Sequence, residues 1–149
     1  MVVTERYLKQ VIVMRRDLNM PHGKLATMAA HASMKWLVDK LGRNTYIRAE
    51  DGWVGVDAIF TAEQWQWLTE IDPGIEHTGQ QSFAKIVVFV GSHEELQDIT
   101  TEAARRGLTT GTVHDSGYSH NPAGTFVGVA IGPHWPEAFE GLTDHLKTR

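Results

Sequence analysis

Apolar runs alternate with amphipathic segments along this chain. Three stretches are apolar almost without a break, at 11–14, 85–90 and 125–131. Such runs are typical of strands buried on both faces of a sheet. A weaker strand is predicted over 109–114, where the apolar character is less continuous.

Helical spacing of apolar residues follows the first two strands. From about 24 to 41 the apolar positions fall on one face, and Gly42 is a natural stop. Ser92 with Glu95 makes a capping box that opens a second helix, which Gly107 would close. These two segments therefore predict amphipathic helices whose apolar faces pack against a core.

The remaining helices are predicted to be shorter. Thr61 and Gln64 make a capping box inside 44–82, a region whose glycines and proline otherwise predict loops. We interpret its tryptophans as packing that helix onto the domain, with a stacking platform for bases as the alternative. A last helix is predicted from Pro136 onward, with apolar residues at helical spacing, namely Phe139, Leu142 and Leu146. Strands interleaved with helices predict one α/β domain over 1–149, a three-layer sandwich with a mostly parallel sheet.

The composition is that of an ordinary globular protein. Of 149 residues, 42% are hydrophobic and 21% charged, and there is no cysteine. The lack of cysteine excludes a disulfide framework and a thiol nucleophile. No apolar run approaches the ~20 residues of a membrane span, and the first residues lack a signal-peptide pattern. The simplest expectation is a cytoplasmic protein without a membrane partner.

The net charge of −4 is unevenly distributed. Lys and Arg exceed Asp and Glu by five in residues 1–43, whereas the balance is −6 over 44–82 and −3 over 83–149. This pattern excludes a broad basic surface, but it leaves room for a local basic site built from the opening strand, turn and helix.

The polar turn after the first strand carries most of the candidate chemistry. It holds Arg15, Arg16, Asp17, Asn19, His22 and Lys24. A cation in the first turn of a helix, as at Lys24, opposes the helix dipole unless an anion binds beside it. We therefore consider Lys24, Arg15 and Asn19 candidates for binding an anionic substrate, and His22 a candidate for proton transfer.

Several familiar sites are absent from the sequence. Gly23-Lys24 lacks the preceding glycine and the following Ser or Thr of a phosphate-binding P-loop. There is no GxSxG motif of an α/β-hydrolase, and the eight histidines show no metal-ligand spacing. An ester-cleaving enzyme made from these parts would have to activate water directly.

Two long motifs carry a resemblance to a known family. The first is KQVIVMRRDL followed by GKLATMAAHAS, within 9–33, and the second is GLTTGTVHDSGYSHNPAGTFVGVAIGP, at 107–133. Both resemble the type-2 peptidyl-tRNA hydrolases, the archaeal and eukaryotic type, and they stand in that family's order.

The resemblance implies a fold and an activity. The fold would be a four-stranded mixed sheet flanked by helices, in a protein that is often a homodimer. The activity would be hydrolysis of the ester between a peptide and the terminal ribose of tRNA, with no metal or organic cofactor. A non-catalytic module that binds tRNA, a nucleotide or a protein is the alternative, and hydrolysis of another acyl ester or amide is a third possibility.

The motifs also place site residues. The catalytic role carries over to Lys24 and Asp115, while Ser119, Thr125 and His31 fall on matching motif positions. Lys24 would contact a phosphate or the oxyanion. Asp115 would orient Lys24 or the attacking water and act as general base if its pKa is suitable, a role that His22 could share near neutral pH. Ser119 and Thr125 would position the ribose or the water. Asn19 and His22 stand where the family more often has basic residues, and 44–82 is longer than usual. Fewer cations predict weaker tRNA binding with a flatter salt dependence.

Overall fold

A computed structural model of the chain describes residues 7–43, 47–69, 83–118 and 120–149. Its elements in chain order are β1 (Lys9–Arg15), α1 (His22–Gly42), β2 (Ile47–Glu50), β3 (Trp53–Val56), α2 (Ala62–Thr69), β4 (Ala84–Val90), α3 (His93–Arg105), β5 (Thr110–His114), β6 (Phe126–His134) and a 3-10 helix (Pro136–Phe139). No helix within these described ranges combines the length and the apolar character needed to cross a membrane.

Strands β4, β1, β6 and β5 form one sheet in that order. The predicted four-stranded mixed sheet flanked by helices is confirmed. The expectation that most strand pairs are parallel is wrong. Only β1 and β4 are parallel, whereas β6 is antiparallel to both β1 and β5. The reason is connectivity: a loop and not a crossover helix joins β5 to β6, and such a connection returns the chain antiparallel.

Alternate side chains of β1 enter the two cores. Val11 and Val13 pack with α3 and the 3-10 helix, while Ile12 and Met14 pack beneath α1. All four are at most 3% exposed. The central strand is thus buried on both faces, as its unbroken apolar run predicts, and the helix–sheet–helix layering of an α/β sandwich follows.

Both predicted capping boxes are present. The Ser92 hydroxyl accepts a hydrogen bond from the Glu95 amide at 3.1 Å, at the start of α3. Thr61 and Gln64 cap α2 reciprocally, each side chain bonding the other's amide at 3.1 Å. Gly107 has a φ of +71°, a left-handed conformation that ends α3 as expected.

The predicted last helix is largely absent. Only the single 3-10 turn Pro136–Phe139 forms, although Phe139 and Leu142 are buried as the spacing suggested. Gly141 has a φ of +67°, which is incompatible with a continuing helix. The apolar positions were therefore predicted correctly, but their helical conformation was not.

The segment 44–82, expected to be loops around one helix, also contains a β-hairpin. Strands β2 and β3 are joined by Asp51-Gly52, both with positive φ, and such a two-residue turn is a strong hairpin signal that the loop interpretation overlooked. In α2, Trp67 packs the helix onto the domain at 2% exposure, whereas Trp65 is 42% exposed. Residues 44–46 and 70–82 lie outside the described ranges.

His134, at the end of β6, is expected to make the stability of the protein depend on pH. Its Nε2 accepts a hydrogen bond from the Thr109 amide at 2.8 Å. Burial lowers its pKa below the usual 6.5, against a smaller opposite effect of the Glu63 charge. The unfolded state therefore binds the proton more readily than the folded state. The contribution of neutral His134 to the free energy of unfolding should be complete above pH 6.5. It should decrease as the pH falls below 6.5, by at most about 1.4 kcal/mol per pH unit.

Replacing His134 with glutamine keeps an acceptor but removes this titration. We expect the His134→Gln protein to lose less stability than the wild type between pH 7.5 and pH 5.5, measured by urea unfolding. His145→Gln, at an exposed position, is the matched control. An equal pH dependence of His134→Gln and wild type would contradict the prediction.

Candidate active site

The polar turn after β1 lies where the carboxyl ends of the parallel strands β1 and β4 meet. The backbone amide of Arg16 donates to the Val90 carbonyl at 2.9 Å, which ties the turn to the end of β4. Asn19 has a φ of +48°, a left-handed conformation that asparagine tolerates better than most residues. The turn is therefore held in one conformation immediately before α1.

The loop between β5 and β6, residues 115–125, is closed by its own backbone. The Asp115 amide donates to the Thr125 carbonyl at 2.8 Å, and the Gly124 amide donates to the Asp115 carbonyl at 2.7 Å. Gly117 has a φ of +86°, and a Cβ there would lie 2.8 Å from atoms of Ala123. Only glycine fits this turn, so the loop presents Asp115 in a defined orientation.

Lys24 and Asp115 form an ion pair between these two segments. Lys24 Nζ donates to Asp115 Oδ1 at 3.1 Å. The lysine side chain is 15% exposed and the aspartate side chain is 0% exposed. The ammonium thus lies at the edge of solvent while its counter-ion is fully covered, so the cation remains accessible to a bound substrate.

Asp115 also accepts two further hydrogen bonds. The Gly117 amide donates to Oδ1 at 2.9 Å, and Asn121 Nδ2 donates to Oδ2 at 3.1 Å. The Gly117 bond lowers the pKa of Asp115 most, burial opposes this by raising it, and Lys24 and Asn121 lower it further, to below its ordinary 3.8. The group is a carboxylate at neutral pH with both oxygens engaged. It is better suited to hold Lys24 than to take a proton from water.

A second contact connects the same two segments. His120 Nε2 lies 2.7 Å from the Leu18 carbonyl oxygen, so the imidazole bonds the turn after β1. An ion pair and a hydrogen bond therefore connect the β5–β6 loop to the turn and the start of α1. Nothing in the residue spacing predicts this contact, because 102 residues separate its partners.

Arg15 lies in the turn, but other protein groups hold its guanidinium. It bonds both carboxylate oxygens of Asp17, at 3.0 and 2.6 Å, and the Phe126 carbonyl at 3.2 Å. Such a bidentate pair fixes the guanidinium and neutralises its charge. The assignment of Arg15 to substrate binding stays a prediction, and its observed contacts are structural.

The other predicted site residues are dispersed. Asn19 and His22 are exposed on the turn side of Lys24, and both line one cavity. His31 is exposed on α1, about 10 Å further along the helix axis. The Thr125 hydroxyl donates to the Pro122 carbonyl at 2.8 Å, inside its own loop. Ser119 lies outside the described residues.

Two groups in the site were not predicted as functional from the sequence. The buried Asn121 side chain and the Gly117 amide both bond the Asp115 carboxylate. The Asp-Ser-Gly order was a usable signal, since aspartate often accepts a hydrogen bond from the amide two residues later. Asn121 had no such signal, because its role depends on how the loop folds back.

An accessible ammonium held by a buried carboxylate can stabilise an anion. Lys24 could donate to a phosphate oxygen or to the oxyanion formed during attack on an ester carbonyl. Among the described residues, no group of three or more His, Asp or Glu side chains is arranged to hold a metal ion.

Comparison with known proteins identifies the family to which the chain is similar. A sequence model of the family Peptidyl-tRNA hydrolase PTH2 matches residues 8–149. A peptidyl-tRNA hydrolase of Methanocaldococcus jannaschii is 34% identical over 140 residues, covering 94% of this chain and 98% of that protein. A peptidyl-tRNA hydrolase of Halobacterium salinarum is 36% identical over 126 residues, covering 85% and 86%.

A solved structure supports the fold separately. A protein of unknown function from Agrobacterium tumefaciens superimposes with a TM-score of 0.50 at 14% identity, covering 95% of this chain and 96% of that one. At this identity the likeness concerns the fold alone. The family match, by contrast, omits only the first seven residues, and the two archaeal relatives are matched along most of their length. The chain belongs to the peptidyl-tRNA hydrolase PTH2 family.

Proposed function

We propose that this protein hydrolyses the ester bond between a peptide and the terminal ribose of tRNA, recycling tRNA from prematurely released peptidyl-tRNA. The observation that carries the proposal is the ion pair between Lys24 and Asp115. It joins the two sequence motifs that the family match includes, across 91 residues of chain.

The reaction needs one water molecule and a stabilised intermediate. Water attacks the ester carbonyl carbon, the carbonyl electrons move onto oxygen, and the tetrahedral oxyanion then expels the ribose oxygen. That oxygen takes a proton and becomes the free hydroxyl of tRNA, while the peptide leaves as a carboxylate. Lys24 donates to the oxyanion, a type of contact worth on the order of 3 kcal/mol in comparable sites.

Asp115 has a positioning role in this mechanism. Its bond to Lys24, at 3.1 Å, holds the ammonium toward the substrate. Because its pKa is lowered, first by the Gly117 amide, and both of its oxygens already accept hydrogen bonds, proton removal from water is assigned to another group. His22 is our candidate for that group, since it is exposed two residues before Lys24.

The ribose and the tRNA backbone need separate contacts. Thr125 and Ser119 position the ribose or the water. The Thr125 hydroxyl donates its hydrogen bond to the Pro122 carbonyl, so its oxygen can accept a hydrogen bond from a ribose hydroxyl. Arg15, Asn19 and His31 contact the substrate on the α1 side. The surplus of five basic residues in 1–43 supplies the attraction to phosphate.

The proposed function also includes a setting. We assign the chain to the cytoplasm, where translation produces peptidyl-tRNA, and propose that it acts as a single domain over 1–149 and assembles as a homodimer. Gel filtration with light scattering tests the assembly directly, and a monomer at micromolar concentration would remove the dimer from the proposal.

The function is tested by release of free tRNA from a purified peptidyl-tRNA. We expect turnover by the wild-type protein, and kcat/KM should fall as salt is raised from 50 to 200 mM, because phosphate contacts release counterions. Binding of tRNA without turnover would instead select a non-catalytic module. Equal activity on a simple acyl ester that lacks the tRNA would point to a different substrate.

A further inference from the structure

A cavity of about 390 Å³ opens beside the polar turn. It is lined by residues of the turn, the start of α1, β4 and the segment after Leu146, namely Arg15, Arg16, Asn19, Met20, His22, Leu25, Phe89, Thr148 and Arg149. The cavity shares the polar turn and the start of α1 with Lys24, which lies between the lining residues His22 and Leu25 in the sequence. Its volume lies at the lower end of the range for small-molecule sites.

An arginine and an aromatic ring form one wall of this cavity. The Arg16 guanidinium lies over the Phe89 ring, 5.0 Å from its centroid, in a cation–π contact. The Phe89 amide also donates to the Lys147 carbonyl at 3.0 Å, which fixes the edge of β4 and brings 148–149 to the cavity. Because Arg16 is exposed, the planar guanidinium can accept a second flat group on its outer side.

The remaining wall combines apolar surface with hydrogen-bonding groups. Met20 and Leu25 contribute apolar side chains, and Asn19 and His22 contribute exposed polar ones. Bases are bound in proteins by this combination: stacking on aromatic or guanidinium planes, with hydrogen-bonding groups such as the Asn19 amide on the base edge. Asparagine in particular can pair with two edge atoms of adenine.

We propose that this cavity binds the terminal adenosine of the substrate, with Arg16 on Phe89 as its stacking platform; the inference rests on the function proposed above. The base is attached to the same ribose that carries the scissile ester. A carbonyl placed at Lys24 therefore leaves the base one sugar away, and the cavity shares the turn and the start of α1 with that lysine.

A peptide side chain is the competing occupant. The peptide differs from one substrate molecule to the next, whereas the terminal nucleoside is the same on every tRNA. An arginine stacked on Phe89, with the Asn19 amide beside it, suits a flat base that is the same in every substrate better than a side chain that varies.

The test measures the hydrolysis of two small esters by the wild-type protein and by the Arg16→Lys variant. One is adenosine carrying an N-acetylated aminoacyl ester on its ribose, and the other carries the same ester on methyl riboside, which has no base. Lysine keeps the charge but not the stacking plane. We expect the wild type to favour the adenosine ester in kcat/KM by about tenfold, and this ratio to approach one in Arg16→Lys. Arg48→Lys, at an exposed position of β2, is the matched control and should keep the wild-type ratio.

A ratio near one in the wild type, or a ratio unaltered by Arg16→Lys, would overturn the adenosine site. If no ester and no peptidyl-tRNA were cleaved, the proposed function would fail instead. Binding of free adenosine and of methyl riboside, followed by NMR titration, then decides the site alone. Tighter binding of adenosine that is lost in Arg16→Lys supports it, and equal binding of the two compounds contradicts it.

Discussion

Replacing Lys24 with methionine is expected to lower kcat for peptidyl-tRNA by about 100- to 1000-fold, the loss seen when an oxyanion donor is removed from a comparable site. Methionine has nearly the same length and keeps the apolar stem, but it has no ammonium to donate. In the proposed mechanism that ammonium acts on charge that develops only during the reaction. The loss should therefore appear in kcat, with a smaller change in KM.

The control for this variant lies on the same helix. Lys35 is also on α1 and pairs with Asp39 one turn later, away from the polar turn. Lys35→Met removes the same charge from the protein and should change kcat by less than about twofold. Circular dichroism and thermal unfolding verify that both proteins are folded. If Lys24→Met retained wild-type kcat, the role assigned to Lys24 would be wrong.

Much of the fold was predictable because its strongest elements are local. The apolar run of β1, the amphipathic face of α1 and the two capping boxes each follow from a few neighbouring residues. The direction of strand pairing cannot be predicted from neighbouring residues, because it depends on how the connection between two strands crosses the sheet. The β5–β6 loop returns the chain so that these two strands are antiparallel, and the sequence of neither strand indicates this.

The candidate site shows the same division. A cation misplaced for the helix dipole drew attention to Lys24, but its partner lies 91 residues away, and only the family resemblance joined the two. Asn121 was missed because its contact is made by a folded loop. The Arg15–Asp17 pair was missed because two charges so near in sequence could equally face solvent.

Replacing Asp115 with asparagine is expected to lower kcat by about 10- to 100-fold, since a hydrogen bond to a charged group contributes roughly 1.5–3 kcal/mol. The amide oxygen can still accept from the Gly117 amide and from Lys24, so the geometry is largely kept while the charge is lost. Asn121 can turn its own amide oxygen toward the new NH₂ group. The measurement is kcat and KM for peptidyl-tRNA, together with the midpoint of urea unfolding.

The double variant Lys24→Met/Asp115→Asn separates the two roles that Asp115 could have. If the carboxylate acts through Lys24, its removal should cost less than about threefold once the ammonium is gone, because groups that act as a unit are not additive. If Asp115 instead took a proton from water, its loss would multiply with that of Lys24. The lowered pKa of Asp115, caused first by the Gly117 amide, and the engagement of both oxygens favour the non-additive result. Fully multiplicative losses would transfer the general-base role from His22 to Asp115.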